Sequence, residues 1–221
     1  MLGVAERSEE KLIWEEWKRI TRFLESSRIS FAREELLWAS LEVKDKSNIS
    51  LVTSKGKSKY SVALLDHLVA IKNHDVLFSL VLTSTYALAE SYARLKLGLQ
   101  DDDDLAGGIE SWGRKVLAIT GHDWPDVLDG LAGIVEVSAV RNAYAHGART
   151  VNKKMINRFV AHNLSSPWAL GSDLALTYEL VETYRARIKS FMRFGNNKKR
   201  SLVAKNVSSD KKTSTRKKIK S

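Results

Sequence analysis

The stretch Asp126–Gly147, DVLDGLAGIVEVSAVRNAYAHG, decides how this chain of 221 residues is read. On a helical wheel of about 100° per residue, Leu128, Leu131, Ile134, Val135, Ser138, Asn142 and Ala145 share one face. Arg141 stands at one edge of that face and His146 at the other, about 140° apart. The spacing predicts an α-helix opening near Asp126. His122-Asp123-Trp124-Pro125-Asp126 supplies its start signal, with Asp123 or Trp124 near the cap and Pro125 in the first turn. Gly147 offers a left-handed C-terminal cap. A guanidinium and an imidazole therefore flank the last turn of an apolar stripe, with the Asn142 amide between them. Asn142 and His146, four apart, lie on neighbouring turns of one side. The other side carries Asp129, Gly133, Glu136, Val140, Ala143 and Gly147, several of them small and few charged. Such a face admits a second helix, either at a seam between two copies or inside the monomer.

Outward from this stretch the chain reads as all-α. Ser8 to Ser26 is predicted to be an amphipathic helix, with Leu12, Ile13, Trp17, Ile20, Phe23 and Leu24 at helical spacing. A second, shorter helix is expected from Arg28 to Glu42. Trp14 and Trp17 are read as packing anchors. Between 48 and 62, alternating apolar residues around Ser54-Lys55-Gly56-Lys57 predict a small β-hairpin. Further helices are expected over Ser61 to Lys72, Asp75 to Leu97 (closed by Gly98), Leu105 to Ile119 and Leu174 to Phe194. Val151 to Leu170 is mixed, with a loop at Ser165-Ser166-Pro167. The run Asp101–Asp104 is read as acids at a helix N-terminus, since metal loops rich in Asp space their ligands and end in Glu. His67, His74, His122 and His162 show no paired spacing that argues for zinc, and no metal or cofactor is expected.

Charge is unevenly placed. Ten of the 36 Lys and Arg residues fall in 196–221 beside the single acid Asp210. That leaves 26 basic and 25 acidic residues in 1–195, so the basic balance belongs to the tail. The tail is expected to be disordered, and to add at most non-specific affinity for nucleic acid. The absence of cysteine excludes disulfides and thiolate metal sites and fits a cytoplasmic location. Glu6, Glu9, Glu10, Glu15 and Glu16 leave no apolar block for a signal peptide. The longest apolar tract, Val76 to Ala89, is broken by Ser79, Thr83, Ser84 and Thr85. It is read as a core helix, and no membrane partner is expected.

Arg141, the polar Asn142 directly after it, and His146 with Gly147 at a helix end resemble the Rx4-6H signature of HEPN domains. The match is to the RiboL-PSP-like and related prokaryotic HEPN ribonucleases, and as an arrangement of helices it covers roughly Asp75–His146. The resemblance implies an up-down helical bundle over 63–195, preceded by an extension over 1–62 packed on that core and followed by the tail. It also implies a metal-independent endoribonuclease acting on RNA as a homodimer, in a toxin or phage-defence setting, with an antitoxin or regulatory protein as a further partner. The product would carry a 2′,3′-cyclic phosphate. In the branch of HEPN toxins paired with nucleotidyltransferases, a Tyr follows the His closely. Here Gly147-Ala148 follows, so control by tyrosine modification is not expected.

The chemistry suits these side chains. Cleavage without metal needs a base for the 2′-hydroxyl proton, an acid for the leaving 5′-oxygen and a cation for the phosphorane charge. His146 can fill either proton-transfer role, and the helix C-terminus favours its protonated form, so base and acid both stay open. Arg141 presents a forked donor to phosphate oxygens, and Asn142 an amide to orient the imidazole or bind phosphate. One helix end supplies one His, so an acid–base pair needs the second from a partner copy. Glu90 and Tyr144 are the supporting candidates. Glu90 either pairs with Arg94 on the surface or turns inward toward Arg141. The alternative function is a non-catalytic HEPN-like module for protein interaction or RNA binding.

Overall fold

A computed structural model describes residues 2–40, 48–55, 58–100 and 103–196. The order is α1 (Leu2–Ser40), a hairpin of β1 (Ser50–Lys55) and β2 (Ser58–Ala63), α2 (Leu64–Lys72), α3 (Asp75–Leu97), α4 (Ile109–Ile119), a 3₁₀ turn (Trp124–Asp126), α5 (Gly130–Ala145), α6 (Lys153–Val160) and α7 (Tyr178–Phe194). The chain is mostly α, and its small antiparallel sheet pairs Ser50 with Ala63 through Lys55 with Ser58.

α3 is the axis. It packs against α1, α4, α5 and α7. Its buried residues Leu77, Phe78, Val81, Leu82, Thr85, Tyr86, Ala89, Tyr92 and Ala93 recur at helical spacing and spread over a broad face. Its length and hydropathy would suit a membrane span by composition alone, and half of its apolar window is buried in the bundle. Gly98 closes it at φ +67°, with the Leu99 amide returning to the Arg94 carbonyl at 3.0 Å. Beside α3 an aromatic cluster joins four segments. Phe191 of α7 sits 5.9 Å from Trp112 of α4, 5.8 Å from Trp124 and 6.1 Å from Tyr92. Gly113 is needed here, since a Cβ would stand 2.6 Å from the Trp124 ring. α1 joins the same core through Trp17 and Leu24, and Trp14 lies against Trp17 at 6.0 Å between ring centres.

Several expectations change. The two expected N-terminal helices are one helix of 39 residues. No Gly or Pro interrupts 2–40 apart from Gly3, and Ser26-Ser27 alone does not break a helix. Residues 61–63 are strand, so α2 opens at Leu64. α4 opens at Ile109 and α7 at Tyr178, each four residues later than expected. The acidic run therefore does not cap α4. Asp103 accepts the Gln100 amide at 2.8 Å, while Asp101 and Asp102 lie outside the described residues. The hairpin tip Gly56-Lys57 and the basic tail from residue 197 onward also lie outside them.

The stretch around the motif splits in two. Asp123 and Asp126 form a capping box on the short Trp124–Asp126 turn. Asp129 and Gly130 then adopt φ of +58° each, and α5 begins only at Gly130. A left-handed pair cannot be carried inside a right-handed helix, so the apolar rhythm through Val127 and Leu128 outruns the helix itself. The small-residue side of α5 is also not a seam between copies. Gly133, Val140 and Ala143 are buried, and a Cβ on Gly133 would meet Arg187 of α7 at 2.9 Å. Glu136 accepts from the Tyr184 hydroxyl and from Arg187, at 2.9 and 2.8 Å. That side packs inside the chain.

Candidate functional site

The last turn of α5 carries the motif. His146 ends the helix with φ −102°, and Gly147 follows at φ +71°. The Gly147 amide donates to the Tyr144 carbonyl at 3.1 Å and the Ala148 amide to the Ala143 carbonyl at 2.8 Å. These two bonds satisfy terminal carbonyls with main chain alone. Neither Arg141 nor His146 is spent on capping. The His146 side chain is exposed and makes no hydrogen bond or ion pair among the described residues.

Arg141 is half-buried on the neighbouring side. Its Nη1 donates to Asn142 Oδ1 at 2.9 Å, and its guanidinium lies 4.7 Å from the centre of the Tyr86 ring. Tyr86 is in turn bonded to Ser138 at 3.0 Å. Burial pushes the Tyr86 hydroxyl above its ordinary value, so it stays neutral. Of the two expectations for Glu90, the inward one is found. Its Oε1 stands 3.9 Å from Arg141 Nη2, an ion-pair distance beyond hydrogen-bond reach. Arg94 instead turns to the Asp103 carbonyl at 3.4 Å. The Arg141 Nε is buried without a partner.

These groups line two adjoining depressions. One, of about 300 Å³, holds Tyr86, Glu90, Ser138, Arg141, Asn142 and Arg158. The other, of about 120 Å³, holds Asn142, His146, Asn152, Lys154 and Arg158. Asn142 and Arg158 border both, so the guanidinium and the imidazole are neighbours across a shared rim and do not face one hollow. Tyr144 is not part of either. Its hydroxyl donates to the Leu174 carbonyl at 2.7 Å and accepts the Leu176 amide at 3.1 Å, tying the segment before α7 to the motif helix.

The sequence gives no sign that Arg158 is partnered by Glu110. Arg158 donates to both carboxylate oxygens of Glu110, at 2.5 and 2.8 Å. Burial alone would raise the Glu110 pKa. The paired bonds from Arg158, its own backbone amide and the charges of Arg158 and His162 outweigh burial and hold the carboxyl below the usual Glu value. Burial likewise works against the Arg158 cation, and Glu110 more than reverses that. The pair is close to Gly108, where a Cβ would meet Glu110 Oε2 and Arg158 Nη2. The four-residue steps Lys154–Arg158–His162 were the visible signal for one face. A partner 48 positions away was not visible.

The remaining histidines are packed. His74 lies between Phe31 and Phe78, His122 beside Asp126 and Phe194, and His67 beside Glu34. Among the described residues no three His, Asp or Glu side chains converge where a metal ion could sit. Compared with protein-family models, curated proteins and solved structures, the chain has no match.

Proposed function

We propose that the chain is a metal-independent endoribonuclease of the HEPN type. In this proposal it acts in the cytoplasm as a homodimer, in a toxin or phage-defence role, restrained by an antitoxin or regulatory protein. One observation carries it: at a helix end closed by main chain, neither the Arg141 guanidinium nor the exposed His146 imidazole serves as a cap, and the two border adjoining depressions that share Asn142.

The reaction follows from those groups. A base takes the 2′-hydroxyl proton, and the 2′-oxygen attacks phosphorus. The bond to the 5′-oxygen then breaks and that oxygen receives a proton. The products are a 2′,3′-cyclic phosphate and a 5′-hydroxyl. Arg141 stabilises charge on the non-bridging oxygens. His146 from one chain and its copy from the partner share the two proton transfers.

The test is incubation of the purified chain with mixed RNA in the presence of a chelator. Arg141→Ala and His146→Ala should each lower cleavage by about 10²–10⁴-fold. Both variants should keep wild-type helicity. Full activity in both variants defeats the proposal.

The non-catalytic module is favoured by a different observation. Arg141 is held by Asn142, Tyr86 and Glu90 within its own fold, as a structural arginine would be. RNA bound but uncleaved by the wild-type chain would favour that reading.

A further inference from the structure

A depression of about 800 Å³ lies between α4 and α6. α4 contributes Ser111, Arg114, Lys115 and Ala118, at the i, i+3, i+4, i+7 spacing of one face. α6 and the turn after it contribute Lys154, Arg158 and His162 in four-residue steps, again one face. Four cations and an imidazole thus line one groove with a single carboxylate, Glu110, which is already bonded to Arg158. Arg114 comes within 3.8 Å of Asp123, but both are more than half exposed, where such pairs contribute little. Lys115 and Lys154 form no ion pair among the described residues.

This excess is local. Residues 1–195 carry nearly equal numbers of basic and acidic residues, so composition does not force four cations into one hollow. Positive side chains gathered in a concave surface repel one another and concentrate the field on an anion. The groove also opens onto the motif. Gly108 and Arg158 line it together with the Arg141 depression, and Lys154 and Arg158 line it together with the His146 depression.

We infer that this groove is the track for the substrate strand, holding the phosphodiester backbone beside the scissile link. The identity of the polymer rests on the ribonuclease reading. Among the described residues no Phe, Tyr or Trp lines the groove and His162 is its one ring, so stacking is confined to that edge and contact falls mainly to phosphates, with little regard to sequence. The strand is single, because in-line attack by a 2′-oxygen needs a backbone conformation that a stacked A-form duplex does not offer.

The experiment compares the full chain with Arg114→Ala/Lys115→Ala/Lys154→Ala, both in the His146→Ala background so that RNA is not consumed. Anisotropy of a labelled single-stranded RNA of mixed sequence is read across a salt series. Single strands give about 0.7 of slope per phosphate contact, so losing three contacts should reduce the slope of log K against log salt by about 2. Affinity near 0.1 M salt should fall by about tenfold or more. The basic segment 197–221 is common to both proteins and cancels. All three positions are exposed, and Lys154→Gln alone repeats the measurement as a milder step. With His146 restored, the loss in kcat/KM should be carried by KM. Unchanged slope and affinity overturn the groove, whether or not the chain cleaves RNA. A changed slope in a chain that never cleaves supports the groove and removes the enzyme. Duplex RNA bound as tightly as the single strand overturns the choice of strand.

Discussion

Glu110 shows how one carboxylate can serve a site it does not enter. It is 8% exposed, and its two oxygens hold the Arg158 fork at the rim shared by both motif depressions. Its folded pKa lies below the ordinary 4.5, so the ionised form adds stability above that pH and loses it as pH falls below. Glu110→Gln should therefore cost about 2 kcal/mol at neutral pH, discounted from the cost of breaking a fully buried pair because Arg158 is partly exposed. The variant should also show a shallower loss of stability than the wild type as pH falls below about 4.5. Urea titrations of both proteins across that range measure it, and equal pH slopes would remove the assigned role. Arg141, Asn142 and His146 were legible because they sit within one turn or so of a single helix. Tyr86 and Arg158 were not, because their places at the site depend on how α3, α6 and α5 pack. Glu90 was legible only as a choice between two partners, which packing decided.

At the scale of elements, Gly147 decides how the motif helix stops. Its φ of +71° is costly for a side chain, and an added Cβ would meet nothing within 4 Å, so the cost is purely conformational. Gly147→Ala should lose about 1 kcal/mol, or roughly 2–4 °C in Tm, while Gly147→Asn should recover part of it. Cleavage should fall more in the Ala variant, because the same closure positions His146. Thermal melts paired with activity assays check both, and an Ala variant with wild-type Tm rejects the argument. The ends of α3 and α5 were legible from Gly98 and Gly147. The starts of α4, α5 and α7 were not, since apolar rhythm continues through 105–108, 127–129 and 174–177 while the backbone there takes other conformations. Leu174 and Leu176 are buried without being helical, and periodicity alone cannot distinguish that.

Across the whole molecule, the bundle brings one imidazole to the site, and the proposed chemistry asks for two. Excess His146→Ala chains should therefore suppress wild-type cleavage below simple dilution, because mixed dimers lack one proton carrier. Activity that follows dilution alone would mean that one chain suffices. The small-residue side of α5 is filled by α7 and the Arg187–Glu136 contact, so the proposed dimer has to use another face. The all-α character was legible as a whole, while the continuity of α1 through Ser26-Ser27 was not. Finally, the main-chain bonds that finish α5 make position 146 a replaceable part of a permanent frame. A chain that has lost its imidazole there should still fold and still occupy the surfaces the intact chain occupies. In a cell harmed by the intact protein, such a lesion would yield a competitor, and selection for disarmament would favour that position over any in the core.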